Sequence, residues 1–502
     1  MSAPMLLVRR RTAILALAAL LLANCGAGPS GSFVPPSPTA ALAPEAPSPS
    51  APATPAEATN PPAPPTVAPT QPSAIAPTTA PTQPAAAPTQ PAAPPTGTPA
   101  PPAGSIPPAT SVPASPATTF GSEVLFLRGG ALIALDVATR AERHIAGDVR
   151  DFAATRDGAA IALVREVARE YDLWVVRRDG SGLTRLTADG NARIEATPSW
   201  APDGLAIVYA SADSSDPYTL RWQEWAAWCV TSAVAVLDVP TGASRTLAAG
   251  CDPSISPDGR RIAYAAPPSA PEPGYDSPVP LAVNSVRLIN RQGQNGWDFA
   301  RAMRAEDTAP NGGLLVYGPA WSPDGAQVVY HRFIGVRVET DVVISEIGGS
   351  FDGHGAPLAA GAGWLLPARF APDGRSLVIS EHNYGDARGF GGYDSWSARV
   401  IRLEGAREVA LPWGPMTMLG TEVGGEPLRR AQRAAWSPDG ATLAVQLPPG
   451  WRPGLPDDEP LDPSGAERPG ELWRWRPGAP PEERLTADVD FASPLAWLPP
   501  GP

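Results

Sequence analysis

The apolar residues of this chain fall in short, β-prone runs that follow one recurrent polar turn. Six times between residues 153 and 440 the sequence contains a variant of a hexapeptide with a free position, an apolar residue, Ser or Ala, Pro, Asp and Gly. The copies occupy residues 153–158, 199–204, 254–259, 320–325, 369–374 and 435–440. A recurring unit of about 40 to 50 residues with four short strands is one blade of a β-propeller. The pattern therefore predicts an all-β propeller over residues 120–502.

The repeated turn is expected to join the innermost strand of each blade to the second strand. In residues 322–325, Pro fixes φ, Asp bonds to nearby backbone, and Gly adopts the positive φ that ends such a turn. A large apolar residue occupies the second position of most copies, just ahead of the turn, and is expected to pack between blades: Trp200, Ile255, Trp321, Phe370 and Trp436.

The two ends of the domain each supply part of one blade. Residues 123–145 predict the second, third and fourth strands of a blade that lacks its first strand, and residues 494–497 predict an inner strand with no turn after it. The C-terminal strand is expected to complete the N-terminal blade, because closure of the ring removes exposed sheet edges. The sequence thus predicts seven blades, with six as the alternative.

The strand and hairpin pattern of residues 173–187, together with the repeated Ser-Pro-Asp-Gly turns, resembles the TolB-type, WD40-like (PD40) propeller repeats of bacterial envelope proteins. The resemblance covers residues 121–502. Such repeats also occur as the propeller of prolyl-oligopeptidase-type peptidases, and many TolB-type propellers have six blades. The motif implies the fold and implies no particular activity.

The N-terminus has the features of an export signal. Three arginines at positions 9–11 precede an apolar stretch of 12 residues, Thr12 to Ala23, which is too short to span a bilayer. Residues 22–25 resemble the lipobox of bacterial lipoproteins, although Asn24 replaces the usual small residue. We expect residues 1–24 to be a signal peptide and Cys25 to carry the lipid, with ordinary cleavage near Ala27 as the alternative.

Residues 25–119 are expected to form a disordered tether rich in Pro, Ala and Thr. Residues 26–119 contain 29 prolines, no Lys or Arg, and a single aromatic residue, Phe33. Such a composition cannot bury a core, and its proline content favours an extended polyproline spacer.

Charge and motifs exclude several classes of function. The net charge of -12 argues against nucleic-acid binding and leaves the N-terminal lipid as the expected contact with the membrane. All 38 basic residues are Arg, so a Walker A lysine or a Schiff-base lysine is impossible. The chain also lacks a Gly-x-Ser-x-Gly elbow, a His-Glu-x-x-His motif and a Cys-x-x-Cys motif, and no cofactor is expected.

The remaining two cysteines, Cys229 and Cys251, are predicted to form a disulfide, because they flank a predicted hairpin in an exported chain. Two free thiols are the alternative.

The long insertions are expected to lie on one face of the propeller, and one of them is rich in aromatic residues. Tyr218, Trp222, Trp225 and Trp228 have the density of a surface that binds sugar rings, proline-rich peptide or a protein. The spacing of the three tryptophans equally fits a short helix that packs onto the ring.

The sequence contains two candidate metal sites. His331 and His382 follow second strands of adjacent blades, and with Glu381 they supply the ligand types of a divalent metal site at the channel mouth. The acidic segment 457–459 has ligands suited to Ca²⁺, with a solvated loop tip as the alternative.

These features predict a noncatalytic, monomeric propeller tethered at the cell surface or in the periplasm, which binds a protein or polysaccharide of the envelope through its loop-rich face. The alternatives are a glycan-active hydrolase or lyase, and a structural component of an envelope complex of the TolB type.

Overall fold

The computed structural model describes residues 119–188, 193–212, 217–218, 222–267, 283, 285–301, 314–334, 339–348, 355–362, 364–383, 395–411, 414–424, 427–455 and 468–501. All of them belong to one compact unit, Pro107–Pro502. The predicted signal peptide, Cys25, the tether up to residue 118 and the acidic segment 457–459 lie outside the described residues. Within the described part of the chain, no helix has the length and apolarity needed to cross a membrane.

Strands make up most of the described chain. In chain order they are β1 (Glu123–Arg128), β2 (Ala131–Asp136), β3 (Glu142–Ala146), β4 (Val149–Ala154), β5 (Ala160–Val167), β6 (Glu170–Arg177), β7 (Thr184–Arg185), β8 (Ile194–Trp200), β9 (Ala206–Ala212), β10 (Ser232–Asp238), β11 (Ser244–Ala249), β12 (Cys251–Ile255), β13 (Arg261–Ala266), β14 (Ser285–Asn290), β15 (Trp297–Arg301), β16 (Leu314–Trp321), β17 (Gln327–Ile334), β18 (Glu339–Glu346), β19 (Ala356–Ala362), β20 (Trp364–Leu365), β21 (Arg369–Phe370), β22 (Ser376–Asn383), β23 (Ser395–Leu411), β24 (Gly414–Glu422), β25 (Leu428–Arg429), β26 (Arg433–Trp436), β27 (Leu443–Leu447), β28 (Gly470–Trp475), β29 (Glu483–Val489) and β30 (Ala496–Leu498). One helix among the described residues, α1 (Trp222–Thr231), lies between β9 and β10.

The strands form consecutive, mostly four-stranded antiparallel groups. Three sheets have the simple orders β12-β13-β14-β15, β16-β17-β18-β19 and β26-β27-β28-β29. The groups β4 to β7 and β8 to β11 are joined by a single parallel pair, Tyr171 with Ile194. In the sheet of β20 to β25, the two short strands β20 and β21 share the place of the inner strand beside β22. The prediction of a nearly all-β, propeller-type chain is confirmed.

The last strand of the chain pairs with the first. The sheet order is β3-β2-β1-β30, and Glu123 lies opposite Leu498 in the ladder. Arg178 reinforces this contact from the neighbouring group: it pairs with Glu123 (Nε to Oε2, 2.7 Å) and donates to the carbonyl oxygens of Gly121 and Pro499 (2.7 Å each). One buried guanidinium therefore binds both ends of the folded chain.

The repeated turns have the predicted local chemistry. In the copy at 320–325, the Ser322 hydroxyl donates to Asp324 Oδ1 (2.6 Å), the amide of Ala326 donates to the same oxygen (3.0 Å), and Gly325 has φ 71°. The turns also touch one another, because a Cβ placed on Gly325 would lie 3.6 Å from Cδ of Pro257 in the preceding copy.

The tryptophan before the turn joins neighbouring groups of strands. The indole Nε1 of Trp321 donates to the carbonyl of Ser254 on the preceding inner strand (2.9 Å), and Trp436 donates likewise to Arg369 (3.1 Å). Trp200 repeats the contact with Ala153 (2.9 Å). These tryptophans have the packing role between blades that the sequence predicts.

Candidate functional site

The innermost strands are distorted at one repeated position. In β8, β12 and β16 the antiparallel pairing with the following strand is interrupted by a register shift. In each strand the shift includes the residue six positions before the Asp of the turn. That residue is Thr197, Asp252 or Gly318, with φ of 49°, 48° and 60°. A Thr or Asp residue held in the left-handed backbone conformation costs about 1–3 kcal/mol of stability. Such strained residues occur most often at functional sites. The bulges lie at one level along the inner strands, and the space beside this level is here called the central channel.

Charged residues occupy the same level in other inner strands. Asp151 on β4 and Arg433 on β26 also stand six positions before the turn Asp, and Arg369 on β21 stands four before it. Asp151 interacts electrostatically with both arginines and with Asp252. Asp151, Asp252, Arg369 and Arg433, from four different groups of strands, are called the channel cluster below.

Asp151 is held by backbone donors. The amide of Phe152 donates to Asp151 Oδ1 (2.8 Å), and the amide of Thr197 also donates to the carboxylate. Burial nevertheless raises the pKa of Asp151 to about 6, against the opposing effects of Arg369 and Arg433. The carboxyl group therefore changes charge near neutral pH.

Asp252 lies between the channel and helix α1. Burial and, to a smaller extent, the nearby Asp151 raise the pKa of Asp252 to about 7, against the opposing effect of a hydrogen bond from Trp225. Near neutral pH, the two carboxyl groups of the channel cluster therefore carry less than their full negative charge.

The two arginines keep the channel cluster positive. Burial and, to a smaller extent, repulsion by Arg369 lower the pKa of Arg433 to about 10, against the opposing effect of Asp151. Burial also lowers the pKa of Arg369, although its side chain is accessible to solvent. Arg369 is therefore the solvent-exposed member of the channel cluster.

Asp252→Asn is expected to raise the melting temperature by about 2–4 °C at pH 8 and to leave it nearly unchanged at pH 4. The folded protein holds the Asp252 proton up to a pKa of about 7, well above the ordinary value of 3.8. The stability that Asp252 contributes to the wild type is therefore present at low pH. It is lost as the pH rises from 3.8 to about 7. Thermal unfolding at pH 4, 6 and 8 measures the effect.

A melting-temperature difference between Asp252→Asn and wild type that stays constant with pH would contradict this assignment. Burial lowers the pKa of His331 to about 3, so His331 gives a slope of opposite sign. That slope is common to both proteins and cancels in the difference.

The aromatic segment predicted to bind a ligand belongs largely to the core. Trp225 and Trp228 are 5% and 0% exposed, and Tyr218 packs against the same cluster. The side chain of Trp222 lies outside the described residues. The indoles of Trp225 and Trp228 point inward over the ends of β9 and β13. The packing alternative is therefore correct for these two residues, and the prediction of an exposed aromatic surface is wrong for them.

A disulfide joins Cys229 to Cys251, the pairing predicted from the sequence, with the two Cα atoms 5.1 Å apart. It fixes the last turn of α1 to the first residue of β12. Asp252 follows Cys251 directly, so the disulfide and Trp225 together hold this part of the channel cluster.

The predicted metal ligands do not meet. Glu381 and His382 are neighbours on β22 and point to opposite faces of the sheet, as adjacent strand residues must. Glu381 pairs with Arg399 (2.6 Å), and His382 stacks on Trp396 with ring centroids 4.1 Å apart. Nε2 of His331 accepts a hydrogen bond from the Ala368 amide (3.2 Å). These three side chains do not form a shared site, and the described residues contain no group of three potential ligands placed to hold a metal ion.

The channel cluster was missed by sequence reasoning, although the repeat contains its signal. When the copies are aligned on Asp-Gly, the position six residues before the Asp is Asp151, Thr197, Asp252, Gly318, Pro367 and Arg433. A strand that lines a protein interior rarely carries a charge. Three charges at one repeat position are therefore a signal that position-by-position alignment of the copies would have revealed.

The sequence matches no protein-family model, and no curated protein matches it. The chain is similar at low identity to many solved structures, of which three are described. An oligogalacturonate lyase in complex with manganese has a TM-score of 0.43 and 13% identity, covering 63% of this chain and 79% of that one. The tricorn protease has a TM-score of 0.44 and 14% identity, with 75% and 34% covered. A putative TolB from Agrobacterium tumefaciens has a TM-score of 0.33 and 16% identity, with 49% and 82% covered. Values this low support no statement about activity or ligand.

Proposed function

We propose that this protein is an envelope-tethered, noncatalytic β-propeller that binds a protein or polysaccharide partner at the mouth of its central channel. In this proposal residues 1–24 direct export, Cys25 carries a lipid, and residues 25–119 are the spacer. Residues 120–502 then form seven blades closed by β30 and act as a monomer. The succession of four-stranded groups and the pairing of β30 with β1 support this blade arrangement.

The channel cluster is the observation that carries the binding function. Asp151, Asp252 and Arg433 are half-buried and Arg369 is exposed, and even partial removal of charged groups from water costs stability. The fold does not require charges at this level, because β16 has Gly318 there and Pro367 occupies the equivalent place before β21. Charges from four inner strands that meet in a solvent-accessible channel are therefore better explained by a ligand than by stability.

The mouth nearest the loops is the favoured entrance. The channel cluster stands four to six residues before the Asp of each turn. At about 3.3 Å per residue, this places it roughly 13–20 Å from the turns along the strands. The connections between second and third strands leave the sheets at the opposite end from the turns, and loops that converge on a rigid scaffold commonly bind partners.

A glycan-active hydrolase or lyase is the second candidate, and one observation favours it. The pKa values of about 6 and about 7 for Asp151 and Asp252 are in the range suited to a general acid or base. Incubation of the full chain with envelope glycans, followed by assay for new reducing or unsaturated ends, tests this candidate. Product formed by wild type but not by Asp252→Asn would favour the enzyme over the binding protein.

Cross-linking on intact cells tests the binding function. Arg433→Gln is expected to lower the captured partner about tenfold or more, because loss of one side of a buried charge contact costs at least 2 kcal/mol. Arg156→Gln, in an exposed turn, removes the same charge away from the channel and is expected to capture as wild type. Equal capture by wild type and Arg433→Gln would refute binding at the channel.

A further inference from the structure

We propose that the channel cluster is a carboxylate-binding site, in which Arg369 and Arg433 together hold a carboxylate of the ligand. This inference rests on the proposed function, in which the channel is the recognition site. An acidic sugar of a polysaccharide and the C-terminus or an acidic side chain of a protein present the same group. The chemistry is therefore shared by both partner classes, and the test below separates them.

The two guanidinium groups have unused donors. Arg433 donates from Nε to the carbonyl of Ala492 (3.1 Å), which orients its plane. Among the described residues, neither Arg369 nor Arg433 makes an ion pair within 4.0 Å. Guanidinium N–H groups in fixed orientation match the two oxygens of a carboxylate better than any other ligand group except phosphate.

The electrostatics of the channel cluster also favour an anion. The strands of Arg369 and Arg433 are adjacent, because Trp436 on β26 donates to the carbonyl of Arg369 on β21 (3.1 Å). The two guanidinium groups repel each other, and Asp151 attracts both. A second carboxylate between the arginines relieves this repulsion. The surrounding protein strengthens the attraction, because the effective dielectric constant in the channel is lower than in water.

Thr197 supplies an independent indication of a ligand. Its hydroxyl oxygen is buried and has no hydrogen-bond partner among the described residues. The residue is held at φ 49°, which is unfavourable for a β-branched side chain, and its amide donates to Asp151. The residue that carries this unpaired hydroxyl is bonded through its amide to Asp151, so it belongs to the same region as the channel cluster.

Asp151 acts as an internal competitor in this arrangement. In the free protein its carboxylate attracts the guanidinium groups that a ligand carboxylate would occupy. Removal of its charge is therefore expected to strengthen binding, whereas removal of either arginine weakens it. A merely structural role for Asp151 predicts the opposite sign, since loss of a structural contact does not improve binding.

Calorimetric titration of the full chain at pH 7 tests the inference with two pairs of probes. D-glucuronate is compared with D-glucose, and N-acetylglycylglycine is compared with its C-terminal amide. We expect the carboxylate member of at least one pair to bind and its neutral counterpart not to bind. The pair that binds more tightly distinguishes an acidic polysaccharide from a protein carboxylate.

The variants give the decisive comparison. Arg369→Gln and Arg433→Gln are each expected to weaken carboxylate binding at least tenfold, Asp151→Asn to strengthen it about tenfold, and Arg156→Gln to leave it unchanged. Circular dichroism shows whether each variant is folded, and either arginine variant suffices if the other fails to fold. Absence of binding by both carboxylates, or weaker binding by Asp151→Asn, would overturn the inference.

Failure of this inference is distinguishable from failure of the proposed function. Loss of cellular capture in Arg433→Gln without probe binding overturns the carboxylate site and keeps the channel as the recognition site. Probe binding that depends on the arginines, together with unchanged capture, supports the carboxylate site and overturns the proposed recognition at the channel.

Discussion

Arg178→Met is expected to lower the free energy of unfolding by about 3–5 kcal/mol, because it leaves a buried carboxylate short of its partner. Arg178 is 4% exposed, and its ion pair with Glu123 links the strand that receives β30 to the neighbouring group. Arg143 contacts the other oxygen of Glu123 (2.7 Å), so the carboxylate keeps one of two cations. The carbonyl oxygens of Gly121 and Pro499 lose their donor as well. Chemical denaturation of the full chain measures the loss.

A surface pair provides the matched control for Arg178→Met. Arg474 pairs with Glu483, and both side chains are more than a third exposed. Arg474→Met is therefore expected to change the free energy of unfolding by less than about 1 kcal/mol. Adding Glu123→Gln to Arg178→Met should recover part of the loss, because it removes the uncompensated charge. Equal effects of the two arginine substitutions would show that burial of the ion pair at the chain ends is unimportant.

Trp228→Ala is expected to lower the free energy of unfolding by about 3–5 kcal/mol, the cost of deleting a fully buried aromatic side chain and leaving a cavity. Trp228 is 0% exposed and packs with Cys229, Cys251 and Phe333 under α1. Its backbone carbonyl also accepts hydrogen bonds from the hydroxyls of Thr231 and Ser232, which a side-chain deletion leaves in place. The expected loss therefore reports packing. Chemical denaturation measures it, and ligand capture per folded molecule should be retained.

Val230 on the same helix is the control for Trp228→Ala. It is 45% exposed, so Val230→Ala is expected to change the free energy of unfolding by less than about 0.5 kcal/mol. If Trp228→Ala abolished capture while leaving stability intact, Trp228 would be a binding residue and the assignment to the core would fail.

Local sequence signals predicted the strands and turns well. Each Pro-Asp-Gly turn depends on contacts within about six residues, such as the bond of Ser322 to Asp324, and such contacts are encoded in the turn itself. The packing of the tryptophan before the turn could also be predicted, because its position relative to the turn decides which face of the strand its side chain occupies. The disulfide between Cys229 and Cys251 followed from a hairpin that brings the two cysteines together.

Interactions between side chains from strands that are distant in the sequence could not be predicted from local signals. Asp151 and Arg433 are far apart in sequence, and their encounter depends on how many groups of strands separate them and on how each inner strand is bulged. The proposed pairing of His331 with Glu381 and His382 failed for a related reason. Proximity of adjacent blades did not establish that the side chains point to the same face.

The sequence by itself determined the repeat, the strand-forming runs, the turns and the residues that pack between neighbouring strands, because these depend on short-range backbone preferences and on the alternation of side chains along a strand. The tertiary structure alone decided that Trp225 and Trp228 face the core, that Arg178 joins the two chain ends, and that charges from four inner strands interact at one level. Those arrangements depend on the relative placement of strands that are distant in the chain, which local preferences do not specify.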